Sequence, residues 1–419
     1  MINQLSSLAG IFAIIALAFL FSKNKKAIVW RSVFMGLLLQ ICFAVAILGI
    51  PSLHVPGVFR FIFDFLNALV SNLVDFTNAG SKFLFGPLAE IKDPWGFVFA
   101  FRALPTIIFF SAVMSGLYYL GILQRVVKGF AFIMQKTMKT SGAETLSASA
   151  NIFIGQTEAP LLIKPFIPKM TQSEVYCMMV GGMATIAAGV EGAYVGMLKG
   201  RIPDIAGHLI TASVLGAIGA LIISKIIFPE TEKPETMGSM KIPDDTKIDV
   251  NVIEAVSRGA SEGISLALNV GAMLIVFISL IAMLDAGLGK IGIWINFSEP
   301  LNFSVILGTL LKPMAWLLGI PWSEAAQVGS LLGKKIVLNE FVAYLSLAEI
   351  GSKLSDRTVL IASYALCGFA NISSIGIQIG GIGAIAGKNK AVIAKLGFLA
   401  VLGGNLACFL SACIAGLLF

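Results

Sequence analysis

The chain has 419 residues, of which 57% are hydrophobic and only 13% charged, with a mean hydropathy of +0.90. No soluble core can absorb that much apolar surface, so a water-soluble globular protein is excluded and an all-α polytopic membrane protein is expected. The formal net charge of +7 does not mark a nucleic-acid surface either, because basic residues such as Lys23, Lys25, Lys26 and Arg31 fall in short runs between apolar segments, where they report topology.

A spanning helix needs about 20 apolar residues, and the chain divides into eight such crossings, at 4–22, 32–50, 96–122, 173–197, 207–228, 261–286, 357–385 and 392–418. The first has no clear cleavage site and is followed rather than preceded by positive charge, so it reads as a retained helix. Residues 55–90 and 288–318 mix aromatics with scattered charge and are expected to lie along the interface or to brace the spans. Residues 141–170 and 322–349 carry apolar runs broken by Gly, Ser, Gln, Glu or Lys. They read as two re-entrant helical hairpins, irregular backbone being tolerated at membrane depth where protein or a cavity supplies its hydrogen bonds. The polar stretch Glu230–Val250 is the natural linker. Basic loops at 23–31, 123–140 and 386–391 belong on the cytoplasmic side, which places both termini outside. The hairpins then enter from opposite sides, the signature of an inverted repeat. Five cysteines lie in apolar segments without metal-ligand spacing and read as small buried residues.

Two acids carry the functional signal. Glu158 sits in Asn151-Ile-Phe-Ile-Gly-Gln-Thr-Glu-Ala-Pro160 and Glu340 in Leu338-Asn-Glu-Phe-Val-Ala-Tyr344. A carboxylate at bilayer depth costs about 2.5 kcal/mol or more on insertion scales and persists mainly where it faces a cavity, an ion or a polar ligand. Each hairpin precedes a span rich in Gly, Ser or Asn: Gly181-Gly-Met-Ala-Thr-Ile-Ala-Ala-Gly189 after the first, Gly368-Phe-Ala-Asn-Ile-Ser-Ser-Ile-Gly376 after the second. Both spans are expected to unwind near their middles, since Gly costs about 1 kcal/mol against Ala and Ser or Asn compete for backbone bonds. Broken helices in paired halves point to the midplane site of a secondary transporter. The residues also admit plainer roles: Glu158 satisfied by hairpin-tip amides, Asn371 and Ser374 bonding helix to helix, Phe369 as packing. Arg102 reads as a snorkelling structural charge, and His54 and His208 receive no proton role.

Gly155-Gln-Thr-Glu-Ala-Pro160 with Lys164-Pro-Phe166, Asn339-Glu-Phe-Val-Ala-Tyr344 and Gly368-Phe-Ala-Asn-Ile-Ser-Ser374, supported by Leu104-Pro-Thr-Ile-Ile-Phe-Phe110 and Ala267-Leu-Asn-Val-Gly-Ala272, resemble the blocks of the concentrative nucleoside transporters in their bacterial form, in family order. The resemblance implies an elevator-type, sodium-coupled symporter forming a homotrimer. Residues 1–123 and 229–318 would belong to the scaffold, 124–228 and 319–385 to the mobile transport domain, and 386–419 to a final span. By the same resemblance Gln156, Thr157, Glu158 and Val190 meet the nucleobase, while Glu340, Asn371 and Ser374 bind the ribose with Phe369 nearby. Sodium would sit on Asn151 and Thr185 side chains with backbone oxygens at Asn151, Ile154, Thr185 and Ile186. Thr185 stands where Ser is also expected, and either hydroxyl serves. The chemistry is consistent: vicinal hydroxyls suit a carboxylate and an amide, and unwound carbonyls suit a small hard cation. Gln156 and Glu158 can each meet several base edges, so uridine and adenosine are both open, as is a proton carried by Glu158 or Glu340 in place of sodium.

Two other classes fit the residues less well. An intramembrane enzyme lacks support, since no His-Glu-x-x-His, nucleophile elbow, magnesium-type acidic cluster or phosphate loop is present. A channel with Glu158 and Glu340 as ring charges fits the paired broken helices less well than alternating access does. The expected setting is the bacterial cytoplasmic membrane, with lipid and nucleoside as partners and no nucleic acid.

Overall fold

The computed structural model describes residues 2–89, 98–238, 249–294, 300–383 and 385–419. Its regular elements are helices; the pairing of extended backbone among the described residues is limited to two single bridges, Ile50 with Val55 and Ser141 with Met237. The first third consists of α1 (Ile2–Leu20), α2 (Trp30–Leu48), α3 (Arg60–Phe85), α4 (Phe99–Tyr119) and α5 (Ile122–Met138). Then follow the short α6 (Gly142–Ala150), α7 (Gln172–Met183) and α8 (Ala188–Leu198), and the long α9 (Ile205–Ile227). After α10 (Val252–Trp294) and α11 (Phe303–Leu317) come α12 (Ala325–Val337), α13 (Glu340–Ile350), α14 (Asp356–Leu366), α15 (Ile372–Gly381) and α16 (Lys390–Leu418).

Seven helical segments among the described residues are long and apolar enough to cross a membrane, 172–198 among them. The seventh expected crossing, 357–385, is α14 and α15 with residues 367–371 unwound between them, and 172–198 is likewise interrupted at 184–187. Both expected breaks are therefore present. The expected sixth crossing at 261–286 lies inside the 43-residue α10. The start of the third span at 96–97, the middle of the linker with Lys241 and Lys247, and Ala384 in the seventh span fall outside the described residues.

Both expected hairpins are too short to cross. At 1.5 Å per residue the 9-residue α6 is about 14 Å long, against a hydrocarbon core of about 30 Å. The first hairpin returns not as an α-helix but as 3-10 turns at Ala159–Ile163 and Ile167–Lys169, because Pro160, Pro165 and Pro168 remove three backbone donors in nine residues. The second pairs α12 with α13 through Leu338 and Asn339. Order repeats in the two halves: α5, hairpin, α7/α8, α9, and then α11, hairpin, α14/α15, α16.

Local signals start the helices where the site needs them. Ser141 and Glu144 form a reciprocal capping box at α6 and Thr171 with Glu174 another at α7. The two boxes are tied together and to α9: Ser141 Oγ donates to Glu174 Oε1 at 2.6 Å, and Lys225 Nζ reaches Glu144 Oε2 at 2.7 Å. Helices α9 and α16 are buried along most of their length and pack on each other and on α7, with α16 also against α14 and α15. By contrast α3 and α10 expose most of their apolar side chains, Phe83 and Ile275 among them, as lipid-facing or subunit-facing helices do.

Candidate functional site

The two unwound segments meet. Phe369 N donates to Thr185 O at 3.2 Å, and a Cβ on Gly368 would stand only 2.8 Å from Met183 O, so the approach needs glycine there. Each break leaves one helix ending and another starting at the centre of the fold, where free carbonyls and free amides carry partial charges of opposite sign.

The starting ends gather around Glu340. Asn339 and Asn371 are the N-caps of α13 and α15, with Oδ1 accepting from Val342 N and Ser374 N at 2.9 Å each. Capping fixes the Asn371 amide so that its Nδ2 donates to Glu340 Oε2 at 3.0 Å, while Tyr194 from α8 donates to Oε1, also at 3.0 Å. Tyr194 in turn stacks on Tyr344 at 4.2 Å between ring centroids. Glu340 is thus a buried carboxylate with a donor on each oxygen, and Lys335 on α12 lies within electrostatic reach.

Gln156, from the tip of the first hairpin, joins the same cluster from the other side. Its Nε2 donates to Ser374 Oγ at 3.2 Å and its Oε1 accepts from Gln378 Nε2 at 3.0 Å. Gly182 makes room for it, since a Cβ there would stand 2.7 Å from Gln156 Cβ. Thr157 packs against Gly381 and donates to Glu158 Oε1 at 2.9 Å; Glu158 itself is exposed. Val190 is buried in the first turn of α8 and Phe369 is half-buried in the second break. Gln156, Glu340, Asn371 and Ser374 are therefore connected through hydrogen bonds, whereas no hydrogen bond among the described residues links Glu158 or Val190 to them.

The ending helices converge elsewhere. Asn151 is the C-cap of α6 and Ala184 of α7, so the negative ends of two helix dipoles face this region. Asn151 is fully buried, its Nδ2 donates to Ser147 O at 3.0 Å, and its Oδ1 has no hydrogen-bond partner. Thr185 Oγ1 donates to Gly181 O at 3.0 Å, and a Cβ on Gly181 would stand 3.7 Å from Asn151 Nδ2, which places the side chains of Asn151 and Thr185 around one residue. Ile154 is half-buried and Ile186 fully buried in the adjoining unwound backbone. Orphaned neutral oxygen at two helix C-termini fits a monovalent cation. Among the described residues no cluster of three or more His, Cys, Asp or Glu side chains forms a site for a divalent metal.

Two participants were not anticipated from the sequence, Tyr194 and Gln378. Each lies four residues beyond an expected site residue on its helix, Val190 and Ser374, so helical spacing was the available signal. A cavity of about 300 Å³ near Lys139, Lys225 and Glu230 lies at the opposite end of α6 and is lined by none of the expected substrate or sodium residues.

Two short hairpins set against two broken helices, with helix ends of both signs converging on a buried polar centre, are the architecture of a secondary transporter. Comparison with known proteins agrees. Residues 9–88 match the family described as Na+ dependent nucleoside transporter N-terminus, 100–201 the nucleoside recognition gate, and 208–416 the Na+ dependent nucleoside transporter C-terminus. The nucleoside permease NupC of Helicobacter pylori is 41% identical, covering 99% of this chain and 98% of its own. An uncharacterized transporter of Haemophilus influenzae is 43% identical with 99% and 98% covered. The chain spans 60% of the longer human solute carrier family 28 member 3, at 39% identity over 99% of its own length. CNTnw in an inward-facing substrate-bound state superposes with a TM-score of 0.89 at 41% identity, covering 100% of this chain and 98% of that one. A CNTnw variant in an outward-facing state gives 0.90 at 40%, with 99% and 97% covered. The chain belongs to the concentrative nucleoside transporter family, integral membrane proteins of the elevator type that are transporters rather than enzymes.

Proposed function

We propose that this protein imports nucleosides by sodium-coupled symport. The observation that carries the reading is the pairing of two sites across the contact between the breaks: a carboxylate and amide, Glu340 and Asn371, beside an orphaned oxygen site at Asn151 and Thr185. Glu340, Asn371 and Ser374 take the ribose hydroxyls. Gln156, Thr157 and Glu158 at the hairpin tip take the base, with Val190 and Phe369 as apolar walls. Sodium takes Asn151, Thr185 and the backbone oxygens of Asn151, Ile154, Thr185 and Ile186, with no resident cofactor required.

The moving body comprises 124–228 and 319–385, sliding against a scaffold of 1–123 and 229–318, with 386–419 as the final span. The Phe369 to Thr185 bond supports coupling: ion and nucleoside both stabilise one arrangement of the first hairpin and the breaks, so each raises the affinity of the other. Exposed apolar faces on α3 and α10 support a homotrimer in lipid, set in a bacterial cytoplasmic membrane with both termini outside.

Uptake of radiolabelled uridine into proteoliposomes tests this directly. Concentrative uptake is expected with an inward sodium gradient and not with choline, and Asn151→Ala should abolish the sodium dependence. Uptake driven by a proton gradient alone would remove the cation from Asn151. Sodium titrations that leave nucleoside dissociation constants unchanged would remove the coupling.

A further inference from the structure

Four acids are buried among the described residues, and three of them are satisfied. Glu144 pairs with Lys225 at 2.7 Å, Glu174 accepts from Ser141 and Thr171, and Glu340 accepts from Tyr194 and Asn371. Glu191 is the exception. It is 4% exposed, its Oε1 has no hydrogen-bond partner, and among the described residues it makes no ion pair. It stands in the first turn of α8, one turn before Tyr194 and a short step beyond the break that carries Thr185 and Ile186.

The groups around it supply no counter-charge. From α13 and the second break, the Tyr344 hydroxyl and the Cys367 thiol lie within electrostatic reach, but Tyr344 donates to Ser363 O and Cys367 to Leu209 O. On α9 the buried His208 is engaged by Tyr364, with Asp204 nearby. Lys335 donates to Ala365 O at 2.8 Å and acts electrostatically on Glu340 and Cys367. Arg102 on α4 reaches Asn78 at 3.5 Å, and Lys199 beyond the end of α8 pairs with Asp75 of α3. A carboxylate in this position would leave Oε1 buried without a donor and face no cation among the described residues, whereas a carboxylic acid brings its own proton and carries no charge to desolvate.

We propose that Glu191 is a proton-binding site of the transport domain, and that the proton there and the cation at Asn151 and Thr185 oppose each other. A positive ion placed at the break favours the carboxylate form of Glu191; the O–H bond then breaks, the proton leaves to solvent, and one positive charge replaces another. In the absence of the ion the acid is neutral again. The second half of this proposal rests on the sodium reading above, while the first does not. By linkage, sodium affinity must fall as protons compete, by no more than about tenfold per pH unit for exchange of one proton with one cation.

The test is sodium activation of uridine uptake between pH 5.5 and 8.5 for the wild type and Glu191→Gln, the latter fixing the neutral form at similar volume. The half-activating sodium concentration of the wild type should rise several-fold on acidification. That of the variant should stay constant at all pH values, near the acidic wild-type value. An infrared difference spectrum of the purified proteins, sodium minus choline, should show loss of a protonated-carboxyl band in the wild type and no such loss in Glu191→Gln. Wild-type pH dependence retained by the variant, or a flat wild-type profile, overturns the proposal. If neither protein responds to sodium, the sodium reading fails instead, and proton-driven uptake that Glu191→Gln loses would still support the proton site.

Discussion

Glu340 is held by one donor on each oxygen, and the two donors differ in what they can lose. Asn371 is fixed by its capping role and cannot be changed without disturbing α15, but Tyr194 can lose its hydroxyl while keeping its ring on Tyr344. Tyr194→Phe should therefore spare folding and weaken uridine binding by roughly ten- to a hundredfold, since a hydrogen bond to a charged group is worth about 1.5–3 kcal/mol. Isothermal titration of the purified protein checks it, and unchanged affinity would mean the hydroxyl serves only the apo arrangement. Glu340 was legible in the sequence as an acid stranded in an apolar chain, where desolvation makes idle polarity expensive, whereas Gln156, Asn371 and Ser374 were named through the family resemblance. Tyr194 and Gln378 were not legible, because a tyrosine or glutamine at helical spacing looks like packing until its partner is seen.

Among the elements, the breaks were more legible than the hairpins. Glycine, serine and asparagine within an apolar span weaken the helix by known amounts, and both spans unwind in the expected stretches, at 184–187 and 367–371. What composition could not supply was which helix ends would converge, since that depends on packing of α9 and α16 between the halves. The 3-10 return of the first hairpin was written in Pro160, Pro165 and Pro168 and is a matter of missing donors. The asparagine caps make a prediction of their own. Asn339→Ala should cost about 1 kcal/mol of stability by removing the Val342 bond, as Asn302→Ala should at α11, where Oδ1 accepts from Val305 N at 2.9 Å. Only the first should also weaken nucleoside binding, because only α13 carries Glu340. Melting temperature and uridine affinity measured on both variants separate the two effects; equal affinities would detach the α13 start from the site.

On the scale of the whole molecule, the eight crossings were legible from hydropathy, except that α10 extends well past its expected 261–286. Hydropathy sees only the lipid-facing stretch of a helix, and the polar turns at each end of α10 continue it into water. Its first turns carry Arg258 between Asp249 and Glu262, at 2.9 and 2.6 Å, and its last turns carry Asp285 and Lys290. The uncharged stretch between Glu262 and Asp285 is about 33 Å long at 1.5 Å per residue, close to one hydrocarbon thickness with the helix nearly upright. Uptake reconstituted in lipids of graded chain length should peak where the core is about 30 Å thick and decline on both sides. A profile indifferent to thickness would mean that α10 is not held at this height.

As part of the proposed scaffold, that helix would be pinned to the bilayer as a keel is to the waterline. Raising or lowering α10 would drag Glu262 or Asp285 into oil, whereas the polar groups of the hairpins are bonded within the protein and can change depth together with their partners. Under the proposed division into a moving and a fixed body, the lipid would therefore decide which one stays still.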